Sequence, residues 1–262
     1  MSLERLISRI GPLDQAAMAA ARARQDRLTK PQGSLGRLEA LSIQLAGITG
    51  QAQPRLQHKV IVTMAGDHGV VAEGVAAFPQ EVTPQMVYNF LRGGAAINVL
   101  ARHVGARIVV VDMGVAAPLE AHTGLVIKKV APGTGNIARG PAMDRAQARR
   151  CLEAGAEVVE AELERGLDIL GTGEMGIGNT TPSSAIVAAF TGHSPAEVVG
   201  RGAGVDEAGV ARKIAAVQRA LAVNRPDPAD ALDVLAKVGG YEIGGLAGAM
   251  LAAAAHRRPV VV

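Results

Sequence analysis

Twelve residues near the middle of the chain carry the densest chemical signal. Residues 171–182 read Gly-Thr-Gly-Glu-Met-Gly-Ile-Gly-Asn-Thr-Thr-Pro. Gly171, Gly173 and Gly176 satisfy the G-x-G-x-x-G pattern of dinucleotide binding, directly after a segment that reads as a strand. Two features weaken that match. The next helix opens near Pro182 with Thr181 as its cap, outside the glycines. The acidic residue about 20 positions on, Glu197, follows Ser194-Pro195 at a helix start rather than a strand end. A looser reading survives, in which Gly173, Gly176 and Gly178 permit close backbone approach and the amides before the helix form an anion pocket. Glu174 inside that loop would repel a phosphate. It suits ribose hydroxyls or an azole N–H, and its bland alternative is a solvated carboxylate on a tight turn.

Three further groups invite chemistry. Asp67-His68 follows a strand-like run and reads either as a hydrogen-bonded loop anchor or as an acid/base or metal pair. Adjacent residues on a turn rarely aim at one metal, and no other His/Cys cluster supports a metal site. Lys213 lies off the apolar stripe Val210, Ile214, Val217 and Leu221. It is therefore either a solvated lysine or a point-charge partner for a phosphate held by the glycine loop. Cys151, the one cysteine, excludes an internal disulfide and reads as a small residue on a helix.

Composition narrows the partners. Hydrophobic residues make up 48% and charged residues 19%, which favours a sizeable core over disorder. Two Tyr, three Phe and no Trp leave little with which to stack single-stranded bases. The formal charge of +3 from 27 basic and 24 acidic residues, scattered along the chain, suits small anionic ligands rather than nucleic acid. The longest apolar run, Ile243 to Ala255, falls short of the ~20 residues needed to span a bilayer. No leader is visible in MSLERLISRIGPL, and a cytoplasmic, reducing location is expected.

The elements that must position these groups alternate. Residues 13–28 and 34–49 read as helices, the second capped by Ser34 with an apolar stripe at 35, 38, 41, 45 and 48. From residue 58, KVIVTMAG (59–66), ARIVVVDMG (106–114), GLVIKKV (124–130) and GLDILGTG (166–173) are strand candidates. Helical stretches at 83–103, 144–165, 182–191, 207–223 and 243–256 fall between or after them. Uninterrupted Val/Ile runs mark strands buried on both faces, and their alternation with helices predicts a doubly wound, mostly parallel α/β sheet with helices on both faces. Gly244, Gly245 and Gly248 read as a packing or dimer surface. Arg258 to Val262 reads as a buried strand just beginning, so the natural protein is expected to continue.

Seven stretches together resemble the nicotinate-nucleotide:dimethylbenzimidazole phosphoribosyltransferases. They are KPQGSLGRLE (30–39), AGDHGV (65–70), FPQEVTPQMVYNFLRGG (78–94), GNIARGPAM (135–143), GEMGIGNTTPSSA (173–185), EVVGRGAG (197–204) and NRPDPADALDVLAKVGGYEIGGLAGAML (224–251). The resemblance implies a small helical subdomain over 1–57 and a Rossmann-like nucleotide-binding domain over 58–262. It implies transfer of phosphoribose from nicotinate mononucleotide to 5,6-dimethylbenzimidazole in cobalamin assembly, without metal or other cofactor, by a homodimer. By the same resemblance Gly176, Gly178, Asn179, Thr180, Thr181, Gly202 and Lys213 hold phosphate and ribose, and Glu174 assists the chemistry. Phe78, Met86, Tyr88 and Phe90 would wall the benzimidazole slot. The family's proposed base, a glutamate in a Gly-Glu-Gly-Ser/Thr-Gly segment, has no counterpart through residue 262. The expectation is a competent nucleotide pocket with reduced transferase activity. The alternative is a module that binds mononucleotide or benzimidazole without turnover.

Overall fold

Two Val-rich runs with no polar alternation form the centre of the molecule, because a strand covered on both faces has no solvent side to populate with polar residues. A computed structural model describes residues 2–262. The chain begins with three helices, α1 (Leu3–Ile7), α2 (Gln15–Gln25) and α3 (Arg37–Thr49). Strand β1 (Lys59–Gly66) leads through a 3-10 turn, Gly69–Glu73, into α4 (Val82–Leu91) and α5 (Ala96–Val104). Then come β2 (Ala106–Gly114), β3 (Leu125–Ile127), α6 (Arg145–Glu164) and β4 (Ile169–Met175). Helices α7 (Thr180–Thr191), α8 (Pro195–Val198), α9 (Glu207–Asn224), α10 (Ala231–Val238) and α11 (Tyr241–Ala255) precede β5 (Val260–Val261).

The five strands form one sheet in the order β3-β2-β1-β4-β5, and every pairing is parallel. Helices cover both faces. Val60, Val62, Met64, Val109, Val111 and Met113 point into the core that α6 and α11 share. Ala65, Val110 and Val115 join Val87 and Phe90 of α4 in a second cluster on the opposite face. From β1 the chain winds outward to β2 and β3, then returns to place β4 on the other side of β1 and β5 beyond it. That reversal leaves a crevice at the carboxyl ends of β1 and β4, where open α/β sheets bind ligands.

Local chemistry adjusts several sequence-based expectations. The stretch 83–103 is two helices, because Gly93 adopts φ +77° and Gly94 turns so tightly that a Cβ there would meet Asn89 Oδ1 at 2.4 Å. Helix α3 begins at Arg37 after Gly36, so Ser34 is not its cap. Its stripe residues Leu35, Leu38 and Leu41 remain exposed, since α2 offers a partner only to Ile43, Ala46 and their neighbours. Helix α1 packs on α6 and α11 through Leu3 and Leu6, which belong to the main core. Helices α2 and α3 pair with each other around their own small cluster of Ala17, Ala21 and Ala46.

The glycine-rich start of α11 packs within the molecule rather than on a dimer surface. A Cβ on Gly248 would lie 1.9 Å from the Leu152 carbonyl oxygen of α6, and one on Gly155 of α6 would lie 1.8 Å from Gly245 O. Gly245 also faces Met64 and Met113 of the sheet. The two helices therefore touch backbone to backbone, and α11 lies close enough to the sheet to deliver its first turn under the crevice.

Candidate active site

The last residues of β4 turn directly into the glycine loop. Gly176 crosses β1 so closely that a Cβ would stand 2.1 Å from Gly66 O, and Gly178 takes φ +87°, which favours glycine. Buried Thr83 of α4 fixes the loop from the other side, its Oγ1 accepting the Ile177 N–H at 3.1 Å. Asn179 is the residue that caps α7. The helix therefore opens at Thr180, two residues earlier than a cap at Thr181 would allow. Thr180 and Thr181 sit in its first turn, and the positive end of its dipole lies at the loop.

Facing that helix end is Lys213 of α9, 1% exposed. Its off-stripe position in the sequence is not a solvated one. Its Nζ donates to Thr180 Oγ1 at 2.7 Å and to Gly200 O at 3.0 Å, and no ion pair with it is formed among the described residues. Burial without a carboxylate partner pushes the ammonium pKa down from its ordinary value. Gly202 completes the corner: it has φ +53°, and a Cβ there would lie 2.9 Å from Thr180 Oγ1 and 3.0 Å from Lys213 Nζ. Together with Phe78, Glu174, Gly176, Gly178, Asn179, Arg201 and Val205, these residues line a cleft of about 320 Å³. An uncompensated buried cation beside a helix N-terminus is a site built for an anion.

Glu174 opens on the same cleft. The Asn179 side-chain amide donates to its Oε2. Desolvation by the surrounding protein, and the carboxylate of Glu242, raise the Glu174 pKa; the Asn179 hydrogen bond and His68 act the other way. The cleft thus carries both a buried amine without a carboxylate and a carboxyl of raised pKa. A ligand with a phosphate at one end and a proton-releasing or hydroxyl-bearing group at the other fits that polarity.

The structure gathers Glu174, Gly176, Gly178, Asn179, Thr180, Gly202 and Lys213 around this one cleft, with Phe78 on its rim. Thr181 is fully buried beneath it. Met86 and Tyr88 are not part of its lining. Met86 packs on the α4 cluster, the Tyr88 hydroxyl accepts the Glu120 N–H at 3.0 Å, and Phe90 is buried in the core. These side chains follow helical periodicity toward the sheet, which a contiguous reading of 78–90 cannot show. Asp67 is a loop anchor, its Oδ2 accepting the Ala116 N–H at 2.8 Å. No group of three or more His, Cys, Asp or Glu residues among the described residues is arranged to hold a metal ion. Arg201 on the cleft wall and Glu242 carry no pattern from which sequence reasoning assigns them to the cleft, and the Asp67-His68 signal does not point to Glu242 as the partner of His68. Arg201 is legible only as part of the turn Gly200–Gly204.

Residues 10–262 match the family described as Phosphoribosyltransferase. The nicotinate-nucleotide–dimethylbenzimidazole phosphoribosyltransferase of Roseiflexus sp. (strain RS-1) is 64% identical over 260 residues, covering 99% of this chain and 74% of its own length. The protein of that name from Desulforudis audaxviator is 63% identical over 260 residues, with the same coverage. Among solved structures, CobT from Thermus thermophilus superposes with a TM-score of 0.90 at 48% identity, over 94% of this chain and 73% of that one.

Proposed function

The chain belongs to the nicotinate-nucleotide–dimethylbenzimidazole phosphoribosyltransferases, enzymes of cobalamin biosynthesis, and we propose that the cleft between β4 and α9 is where it holds the mononucleotide. The 5′-phosphate lies against Lys213, Gly202 and the first turn of α7, with Arg201 at the open side. The observation that carries this assignment is the buried Lys213 ammonium with no carboxylate beside it among the described residues. A phosphate dianion supplies the missing charge, and the amides opening α7 supply donors.

The reaction breaks the bond from the sugar's anomeric carbon to the pyridinium nitrogen, whose ring keeps the electron pair and leaves as neutral-ring nicotinate. The azole nitrogen forms the new bond and the proton on the second azole nitrogen must depart. No acid is needed for the leaving group, so the protein's task is to orient the sugar and to receive that proton. Glu174 assists from the ribose and azole side, and Asn179 fixes its carboxyl orientation. Phe78 offers an apolar face at the rim for the incoming heterocycle, while Met86 and Tyr88 lie on α4 outside the cleft lining.

Calorimetry with nicotinate mononucleotide, followed by product assay with dimethylbenzimidazole, tests the assignment. Glu174→Gln is expected to retain the fold and nucleotide affinity while turnover falls by about 10²-fold or more. Unchanged turnover would remove Glu174 from the chemistry. The homodimer is a separate proposal. It is supported by an apolar groove of about 1000 Å³ lined in part by Ile7, Phe190, Leu232, Ile243 and Met250, and sedimentation at monomer mass would withdraw it.

A further inference from the structure

Under the glycine loop lies a pair of ionisable side chains that phosphate and ribose binding leave unused. His68 and Glu242 are 1% and 0% exposed, and Nε2 of one stands 2.9 Å from Oε1 of the other. They come from different elements, His68 from the turn that leaves β1 and Glu242 from the first turn of α11. Three glycines vacate the chamber they occupy. A Cβ at Gly66 would lie 2.6 Å from Glu242 Oε2, one at Gly240 would lie 2.6 Å from His68 Cε1, and one at Gly176 would lie 3.1 Å from His68 Nε2. Gly176 also lines the cleft, so a single residue without a side chain separates the pair from the ligand site.

A core built for stability alone does not favour this arrangement. Replacing a buried ion pair by apolar residues of similar size is often neutral or stabilising, and buried polar atoms left without hydrogen bonds add cost. Among the described residues, His68 Nδ1, Glu242 Oε2 and Asp67 Oδ1 have no hydrogen-bond partner. The dipole of α11 favours the Glu242 carboxylate in its first turn. Burial works against an imidazolium at His68, but Glu242, Asp67 and Glu174 surround it and raise its pKa above the ordinary value. Cys151 of α6 also faces Glu242. Its thiol, pushed up to about 12 by burial and by that carboxylate, contributes no charge near neutrality. Tyr241, raised chiefly by burial, stays neutral as well. Lys213 and Arg201 line the cleft with Glu174, and Asn179 adds only a dipole. His68 sits beneath the glycine loop with the carboxyl groups of Glu242, Asp67 and Glu174 around it.

We propose that His68 and Glu242 are positioning residues for the transfer reaction, a buried imidazolium–carboxylate pair held one glycine below the cleft that sets the charge state of Glu174 from beneath. The proposal rests on Glu174 facing the sugar and azole. It assigns the pair a role that shape alone does not fill: Glu242 keeps His68 protonated, and the imidazolium keeps Glu174 ionised and ready to receive a proton or a hydroxyl hydrogen bond. Removing the imidazole leaves Glu174 with Glu242 uncompensated, so its carboxyl holds its proton to higher pH.

The test is a titration of the substrate-free protein by NMR, with ¹³C-labelled glutamate carboxyls and ¹⁵N-labelled histidine, the Glu174 signal being assigned by its loss in Glu174→Gln. In the unaltered chain the His68 ring is expected to be imidazolium at neutral pH. Glu242→Gln is expected to move the His68 midpoint to lower pH, and His68→Gln to move the Glu174 midpoint to higher pH. The acid limb of the kcat profile should follow the Glu174 midpoint, with KM for nicotinate mononucleotide unchanged. A neutral His68 ring in the unaltered protein overturns the proposal even if neither variant folds, and so does a Glu174 midpoint that ignores the loss of His68. Failure of the site assignment looks different: Glu174→Gln would then leave turnover intact whatever the titrations show.

Discussion

Lys213 is the residue on which the energetics of the cleft turn. Burying an ammonium without a counter-charge is costly, and the free protein bears that cost through the lowered pKa of the group. Because the folded pKa lies below the unfolded value of 10.5, the unfolded chain binds more protons between the two. Stability of the ligand-free protein therefore rises with pH across that window, and binding of a phosphate, which needs the charged form, weakens across it. Lys213→Met removes the desolvated charge while keeping an unbranched side chain of similar length. The variant should unfold at the same temperature as the parent or a higher one. It should lose about 1.5–3 kcal/mol of affinity for nicotinate mononucleotide, the range for hydrogen bonds to a charged group, by calorimetry. Nicotinate riboside, which lacks the phosphate, should bind both proteins alike. Equal losses for both ligands would move the phosphate away from Lys213.

Between elements, the contact that sets the depth of the crevice is that of α6 with α11. Gly155, Gly245 and Gly248 let the helices meet backbone to backbone, which lowers α11 onto Met64 and Met113 and brings Glu242 beneath β1. An added methyl at Gly248 has no side chain to displace, only the Leu152 carbonyl at 1.9 Å, so the helices must separate. Gly248→Ala gains ~1 kcal/mol of helix propensity. Overpacking of a filled interior costs about 1–3 kcal/mol and occasionally more, so a net loss is expected as a lower urea midpoint with an unchanged slope. Gly140→Ala makes the matching control, because no atom lies within 4 Å of a Cβ there, and its stability should stay within about 0.5 kcal/mol. The sequence announced these glycines but not their partner: a helix of small residues reads alike whether it meets a second copy or its own α6. The same ambiguity hid Lys213, whose stripe position identified a face of α9 without saying that α7 would cover it. Strands β1 and β2 were legible because their Val/Ile runs carry the signal locally, and β4 through the short apolar Ile169-Leu170 that leads into the glycines. The chamber of His68 and Glu242 was not, since residues 174 positions apart meet only through the sheet.

At the scale of the whole molecule, the site stands where the winding of the sheet reverses, and its parts come from distant stretches of chain: β1 and its turn, β4 with α7, α9, and the start of α11. Strand alternation made the parallel sheet legible. The order β3-β2-β1-β4-β5, which decides that the crevice opens between β1 and β4, depends on long-range pairing that no local pattern encodes. A ligand held across such a reversal stabilises both halves of the sheet together. Binding should therefore appear as a shift of one cooperative unfolding transition rather than as protection of a single helix. At a mononucleotide concentration 100 times its Kd, mass action supplies about 2.7 kcal/mol. For a chain of this size each kcal/mol moves the midpoint by about 2–4 °C, so Tm should rise by roughly 5–10 °C. The rise should shrink to roughly half or less in Lys213→Met at the same ligand concentration and persist in Glu174→Gln, because the first removes the phosphate partner and the second alters only the group facing the sugar and azole. Two transitions that respond separately to nicotinate mononucleotide would mean that the ligand sits within one half of the sheet, and the crevice between β1 and β4 would lose its claim to it.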